Sequence, residues 1–169
     1  MTLISTVTVG AGGAANITFS SIPQTYTDLQ VVLSGRNVNA PNAGSLSLNG
    51  STASFTTRSL WANGNSVGSS NFTGGPEIGI TGSGDTANTY GSLLAYLPNY
   101  TSATSKSISI DYVTENNDLY VSFAISGTTW ANNAAITTIA LIPQSGTLTQ
   151  YSTASLYGIL KGSGGATVS

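Results

Sequence analysis

Three carboxylates crowd one short stretch of the chain: Asp111, Glu115 and Asp118, in "DYVTENND" (111–118). Glycoside hydrolysis needs two such groups, one as acid and one as base or nucleophile. Asp, Glu and Asn oxygens also suit calcium. The stretch lacks the spacing of any named calcium loop, however, and three charges that solvate a hairpin turn explain it more simply. The remaining carboxylates, Asp28, Glu77 and Asp85, are scattered, and the chain contains no His and no Cys. That removes triads with a His base, thiol nucleophiles and the commonest zinc and iron sites. The expectation is a non-enzymatic protein with no catalytic residues, no cofactor and no metal.

Aromatic residues offer a second kind of chemistry, stacking on sugar rings. Trp61, Trp130, Tyr100 and Tyr120 are the candidate contact residues, and Trp130, in "SGTTWANN", is the most loop-like of them. The competing expectation is that such rings fill a core or a subunit contact with a polar atom at the rim. The four basic residues, Arg36, Arg58, Lys106 and Lys161, are dispersed. Neither nucleic acid nor an anionic membrane would find a clustered basic patch. The longest apolar runs, such as "LLAYL" at 93–97, are far too short to span a bilayer.

Only 6% of the 169 residues are charged and the net charge is −2, where about 25% charged is usual. Ser, Thr, Asn and Gly make up the difference. Copies of such a chain repel one another weakly, which suits life inside an assembly, although a secreted β-protein with a neutral polar face has the same composition. No Lys or Arg precedes Arg36, so no secretory signal is expected. The lack of cysteine fits folding in a reducing cytoplasm.

The elements that would carry these residues are strands. Alternation marks 2–9, 16–19, 28–37, 45–50, 53–61, 89–98, 105–115, 118–127, 135–143 and 150–160, joined by Gly, Asn, Pro and Ser turns. The segment from "NFTGG" to about Asn88 reads as a long loop with one weak strand at "EIGIT". "NG" at 49–50, where the alternation of 45–50 stops, is a strong turn signal. "IPQTYT" (22–27) and "IPQSGT" (142–147) both read as strand-ending corners, because Pro lacks an N–H and fixes its φ. With no helix between strands, the fold class is all-β, an antiparallel, jelly-roll-like sandwich. One domain over 1–161 is expected, with a Gly-rich flexible tail over 162–169. Leu29, Val31, Leu33, Ile108, Ile110, Val121 and Phe123 are expected in the core. Val32, Val113 and Tyr120 are expected on the opposite face, where a second surface could be covered.

Three blocks carry a resemblance: "ITFSSIPQTYTDLQVVLSGRN" (17–37), "YLPNYTSATSKSISIDYVTENN" (96–117) and "YSTASLYGI" (151–159). In content and order they resemble small β-rich virion proteins of tailed bacteriophages, cyanophages among them. The likeness runs from about residue 3 to 160 and brings no active-site motif with it. It implies a capsid decoration, or cement, protein: a homotrimer on the outer surface of the head, bound to the major capsid protein and made in the host cytoplasm. The alternative in the same group is a tail or fibre module that binds host-surface glycans.

Overall fold

The computed structural model describes residues 1–40, 42–115 and 121–160, excepting the Val121 side chain. Among these residues the chain forms twelve strands: β1 (Thr2–Thr8), β2 (Ile17–Phe19), β3 (Asp28–Gly35), β4 (Ala43–Leu48), β5 (Phe55–Asn63), β6 (Ser66–Thr73), β7 (Glu77–Gly79), β8 (Gly91–Leu97), β9 (Lys106–Glu115), β10 (Val121–Trp130), β11 (Ile139–Pro143) and β12 (Thr153–Ile159). The large sheet has the order β1-β12-β3-β8-β9-β10-β5-β6 and the small sheet β2-β11-β4-β7. All strand pairs are antiparallel. In chain order, β1, β2, β3, β4, β7, β8, β11 and β12 switch sheet at every step except β4 to β7. The chain thus passes back and forth between two antiparallel sheets, as in a β-sandwich. The hairpins β5–β6 and β9–β10 are inserted into it and widen the large sheet by four strands.

The core follows from period-2 alternation. Leu29, Val31 and Leu33 of β3, Leu93, Ala95 and Leu97 of β8, and Ile108 and Ile110 of β9 are buried. They share one cluster with Ile17, Phe19, Leu46, Leu48, Ile78, Ile139 and Leu141 of the small sheet. Phe55 and Trp130 stack at one end of this layer, with ring centroids 6.0 Å apart. Asn49 and Gly50 both take positive φ, 51° and 77°, so the expected turn forms, closed by a single bridge between Leu48 and Ser51, and the chain leaves it for the other sheet. Pro143 ends β11, as its missing N–H dictates. The closing tail, 162–169, lies outside the described residues.

Two expectations are corrected. Phe123 is 44% exposed and Ile125 51%, so β10 runs in the opposite phase to the one its apolar residues suggested. Its far end sets that phase. Trp130 is drawn into the core against Phe55, and every second residue back from it, Thr128, Ser126 and Ala124, must then face inward. The inward Thr128 is matched by Thr57 of β5, hydroxyl to hydroxyl at 2.9 Å. The second correction is β6, whose last three residues, 71–73, fall in the segment read as loop and whose first five were assigned to no strand. Its turn, Gly64-Asn65, has positive φ at Gly64 alone, 58°. That is the requirement of a two-residue turn with Gly in its first central position.

Candidate functional site

The acidic stretch does not converge. Asp111 is exposed on the outer face of the large sheet, the face turned away from the small sheet. Glu115 lies four residues along the same strand, about 13 Å away at roughly 3.3 Å per residue, beyond the roughly 5–9.5 Å of glycosidase pairs. Glu115 is also engaged. Its Oε2 accepts the Thr86 N–H at 2.8 Å and its Oε1 the Thr86 hydroxyl at 2.9 Å. Arg36 holds the same loop from the other side, donating to the carbonyls of Thr86 (2.8 Å), Thr89 (3.0 Å) and Asp85 (3.2 Å). Arg36 and Glu115 therefore clamp the loop over 82–90. Asp118 lies outside the described residues. Among those described, no group of three His, Cys, Asp or Glu residues is placed to hold a metal ion.

The blocks that carry the sequence resemblance meet at one corner of the sandwich. Tyr100, fully buried, donates its hydroxyl to the Pro23 carbonyl. Asp28, where β3 begins, accepts the Tyr96 hydroxyl and the Asn99 N–H, each at 2.8 Å. Gln24 donates to the carbonyls of Ile22 (2.8 Å) and Ile136 (3.0 Å). Lys106 is 1% exposed and donates to the carbonyls of Ser102 (2.7 Å), Thr104 (2.6 Å) and Ala134 (3.0 Å). Its ammonium also sits 5.9 Å from the centre of the Trp130 ring, within cation–π range. Burial pulls its pKa below the ordinary lysine value. Tyr26 lies flat on Gly158 of β12, where a Cβ would come within 2.3 Å of the ring. These residues thus build a partly buried polar corner that fixes loop positions, with a shallow hollow of about 380 Å³ beside Tyr96 and Pro98.

That arrangement decides the aromatic candidates. Trp130 and Tyr100 are 1% and 0% exposed, so neither is available as a contact residue. Their rings fill the core because the loop-like sequences around them fold back over the end of the sandwich. Tyr120 lies outside the described residues. Trp61 is half-buried, packs against Gly68 and donates its indole N–H to Ser70 at 3.1 Å.

The surface with open chemistry is the outer face of β9, β10, β5 and β6. Leu60, Val67, Val113, Phe123 and Ile125 are all exposed there, between 44% and 80%. The register explains why they adjoin: Ile125 pairs with Leu60, Phe123 with Val113 and with Ala62, and Ala62 with Val67. A trough of about 570 Å³ runs beside this row, lined by Arg58, Asn71, Ser109, Asp111 and Gly127 among others. Gly127 makes the dip, because nothing lies within 4 Å of where its Cβ would be. An adjoining apolar hollow of about 520 Å³ includes Trp61, Val67 and Phe123. Sequence reasoning placed only Val113 of this row on the outer face. The signal for the rest was the apolar phase of β10 set against the fixed position of Trp130.

No family model matches the chain, and no curated protein and no solved structure matches it.

Proposed function

We propose that the protein is a non-enzymatic structural component of a virion, a decoration protein that binds the outside of a phage head and stabilises it. The observation that carries this reading is how the sheet edges are finished. Natural sheets blunt their edges with short strands, charges or proline. The small sheet follows that rule, ending in three-residue strands, β2 and β7. The large sheet does not. Its edges, β1 and β6, are seven and eight residues long and contain no charged residue and no proline. β1 carries one register shift, between Leu3 and Ser5. Long, uncharged edges, one of them (β6) beside an exposed apolar face, suit a chain that works inside an assembly, where a partner such as the major capsid protein covers them. The low charge of the chain and its resemblance to tailed-phage virion proteins support the same reading, and that resemblance implies a homotrimer.

The test is binding of purified protein to heads that lack it. Wild type should sediment with the heads. Thr6→Lys with Thr8→Lys, which places charge on the β1 edge, should weaken binding while leaving the fold intact. Wild-type protein that ignores bare heads contradicts the proposal.

A second reading has its own observation. The trough combines Arg58, Asp111, Asn71 and several serines with the apolar side chains of Leu60 and Ile125, a set able to hydrogen-bond a sugar and pack against its apolar face. A tail or fibre module binding host-surface glycans would use it. Binding to host cells but not to heads, lost on Asn71→Ala with Asp111→Ala, would favour this reading.

A further inference from the structure

We infer that the outer face of β9, β10, β5 and β6 pairs with the same face of a second copy of this chain about a two-fold axis. The inference rests on the large sheet being a contact surface; it replaces the homotrimer that the resemblance implies and does not depend on the virion assignment.

Charge is the first argument. Arg58 and Asp111 are the charged residues lining the trough. Both are exposed, and neither has a hydrogen-bond or ion-pair partner among the described residues. They lie on opposite sides of β10. Arg58 is level with Gly127, and Asp111 is level with Ile125. One cation and one anion flanking a shared centre form a self-complementary pattern. An isologous contact places residue i against residue j and residue j against residue i. A two-fold axis lying in the contact plane midway between the two charges sets Arg58 against the partner's Asp111, and repeats the pair in reverse. The same operation lays Leu60 and Ile125 on the apolar row of the partner. A partner of one dominant charge would fit only half of this surface, whereas a second copy fits both halves.

Size is the second argument. The four strands, about 4.8 Å apart and about nine residues long at 3.3 Å each, present a face of roughly 570 Å². The smaller specific interfaces bury about 600 Å² per partner. The outer face is therefore about the size of a small specific pair, with the exposed apolar row as its dry centre and serines, threonines and asparagines as its rim.

The experiment is sedimentation equilibrium with light scattering on the purified chain. Wild type should have twice the 17.1 kDa chain mass. Arg58→Glu and Asp111→Arg should each weaken the pair by about tenfold or more through like-charge contact. The double variant carrying both reversals should recover wild-type affinity. Ile125→Asp should give monomer. All three positions of substitution are surface sites, and an unchanged circular dichroism spectrum confirms folding in each case. A monomeric wild type, a mass of three chains, or a dimer indifferent to all of these variants overturns the inference. Head binding is read separately. A dimer that ignores bare heads leaves this pairing standing and removes the decoration role. A monomer that binds heads removes the pairing alone.

Discussion

Lys106 is the most informative residue to replace. Its ammonium is buried and makes three hydrogen bonds to backbone carbonyls, two of them at 2.7 Å or shorter. Lys106→Met keeps most of the length of the side chain but removes every donor. Hydrogen bonds to a charged group contribute about 1.5–3 kcal/mol each, so three would suggest roughly 4.5–9 kcal/mol. Two effects cut that figure. Thr104 and Ala134 are exposed residues, so water can reach the region of their carbonyls. The lowered lysine pKa also means that the site disfavours the charge it holds, and the apolar variant escapes that penalty. The expected net loss is about 2–3 kcal/mol, which for a chain of this size lowers Tm by about 4–12 °C. Urea denaturation followed by tryptophan fluorescence is the assay, since Trp130 sits under the ammonium. The pH dependence supplies a second check. A lysine whose pKa is lower folded than unfolded binds fewer protons in the folded state. Wild-type stability should therefore gain relative to the variant as pH rises from the folded pKa toward about 10.5. A variant as stable as wild type, or more so, would refute the reasoning, because the charge would then cost as much as its three hydrogen bonds return.

Three further outcomes are expected. Tyr96, Tyr100 and Tyr112 all hold their protons above the ordinary tyrosine value: Tyr96 mainly through its hydrogen bond to Asp28, Tyr100 through burial, and Tyr112 through burial and then its bond to Glu77 at 2.5 Å. The unfolded chain loses these protons near pH 10, so stability is full below that pH and falls as pH climbs toward the folded values. Thermal melts at increasing pH should show the fall, and Tyr112→Phe should flatten it. Gly79→Ala should cost about 2–3 kcal/mol in chemical denaturation, as overpacking does, because its Cβ would come within 2.1 Å of the Tyr112 ring. Asn49→Ala should cost about 2 kcal/mol, measured the same way, because Asn49 accepts the N–H groups of Thr137 (2.8 Å) and Thr138 (3.1 Å) and donates to the Ala135 carbonyl (2.8 Å).

The legible part of the fold was the part ruled by one-sided burial. β3, β9 and β12 show their alternation directly, and Asn49-Gly50 and Pro143 mark the chain reversals their chemistry demands. β10 was misphased because its larger apolar residues point outward, and a pattern of alternation alone cannot say which face is covered. β6 was missed because "SVGSSNFT" has little apolar content, and most of its residues are exposed on both faces. Pairing with β5 and the Gly64-Asn65 turn make it a strand. The buried corner was legible only as three separate blocks. Contacts such as Tyr100 to Pro23, or Tyr26 on Gly158, join residues far apart in the chain, and no local pattern announces them. The outer apolar face was hidden for the same reason, since its rows become neighbours only once the register of four strands is known.

The most direct measurement of the account is the number of copies of this chain per purified phage particle, by quantitative mass spectrometry against a labelled standard. A decoration protein should be present in hundreds of copies, in fixed ratio to the major capsid protein. A few copies, a few dozen, or none would contradict the structural role on the head proposed for it.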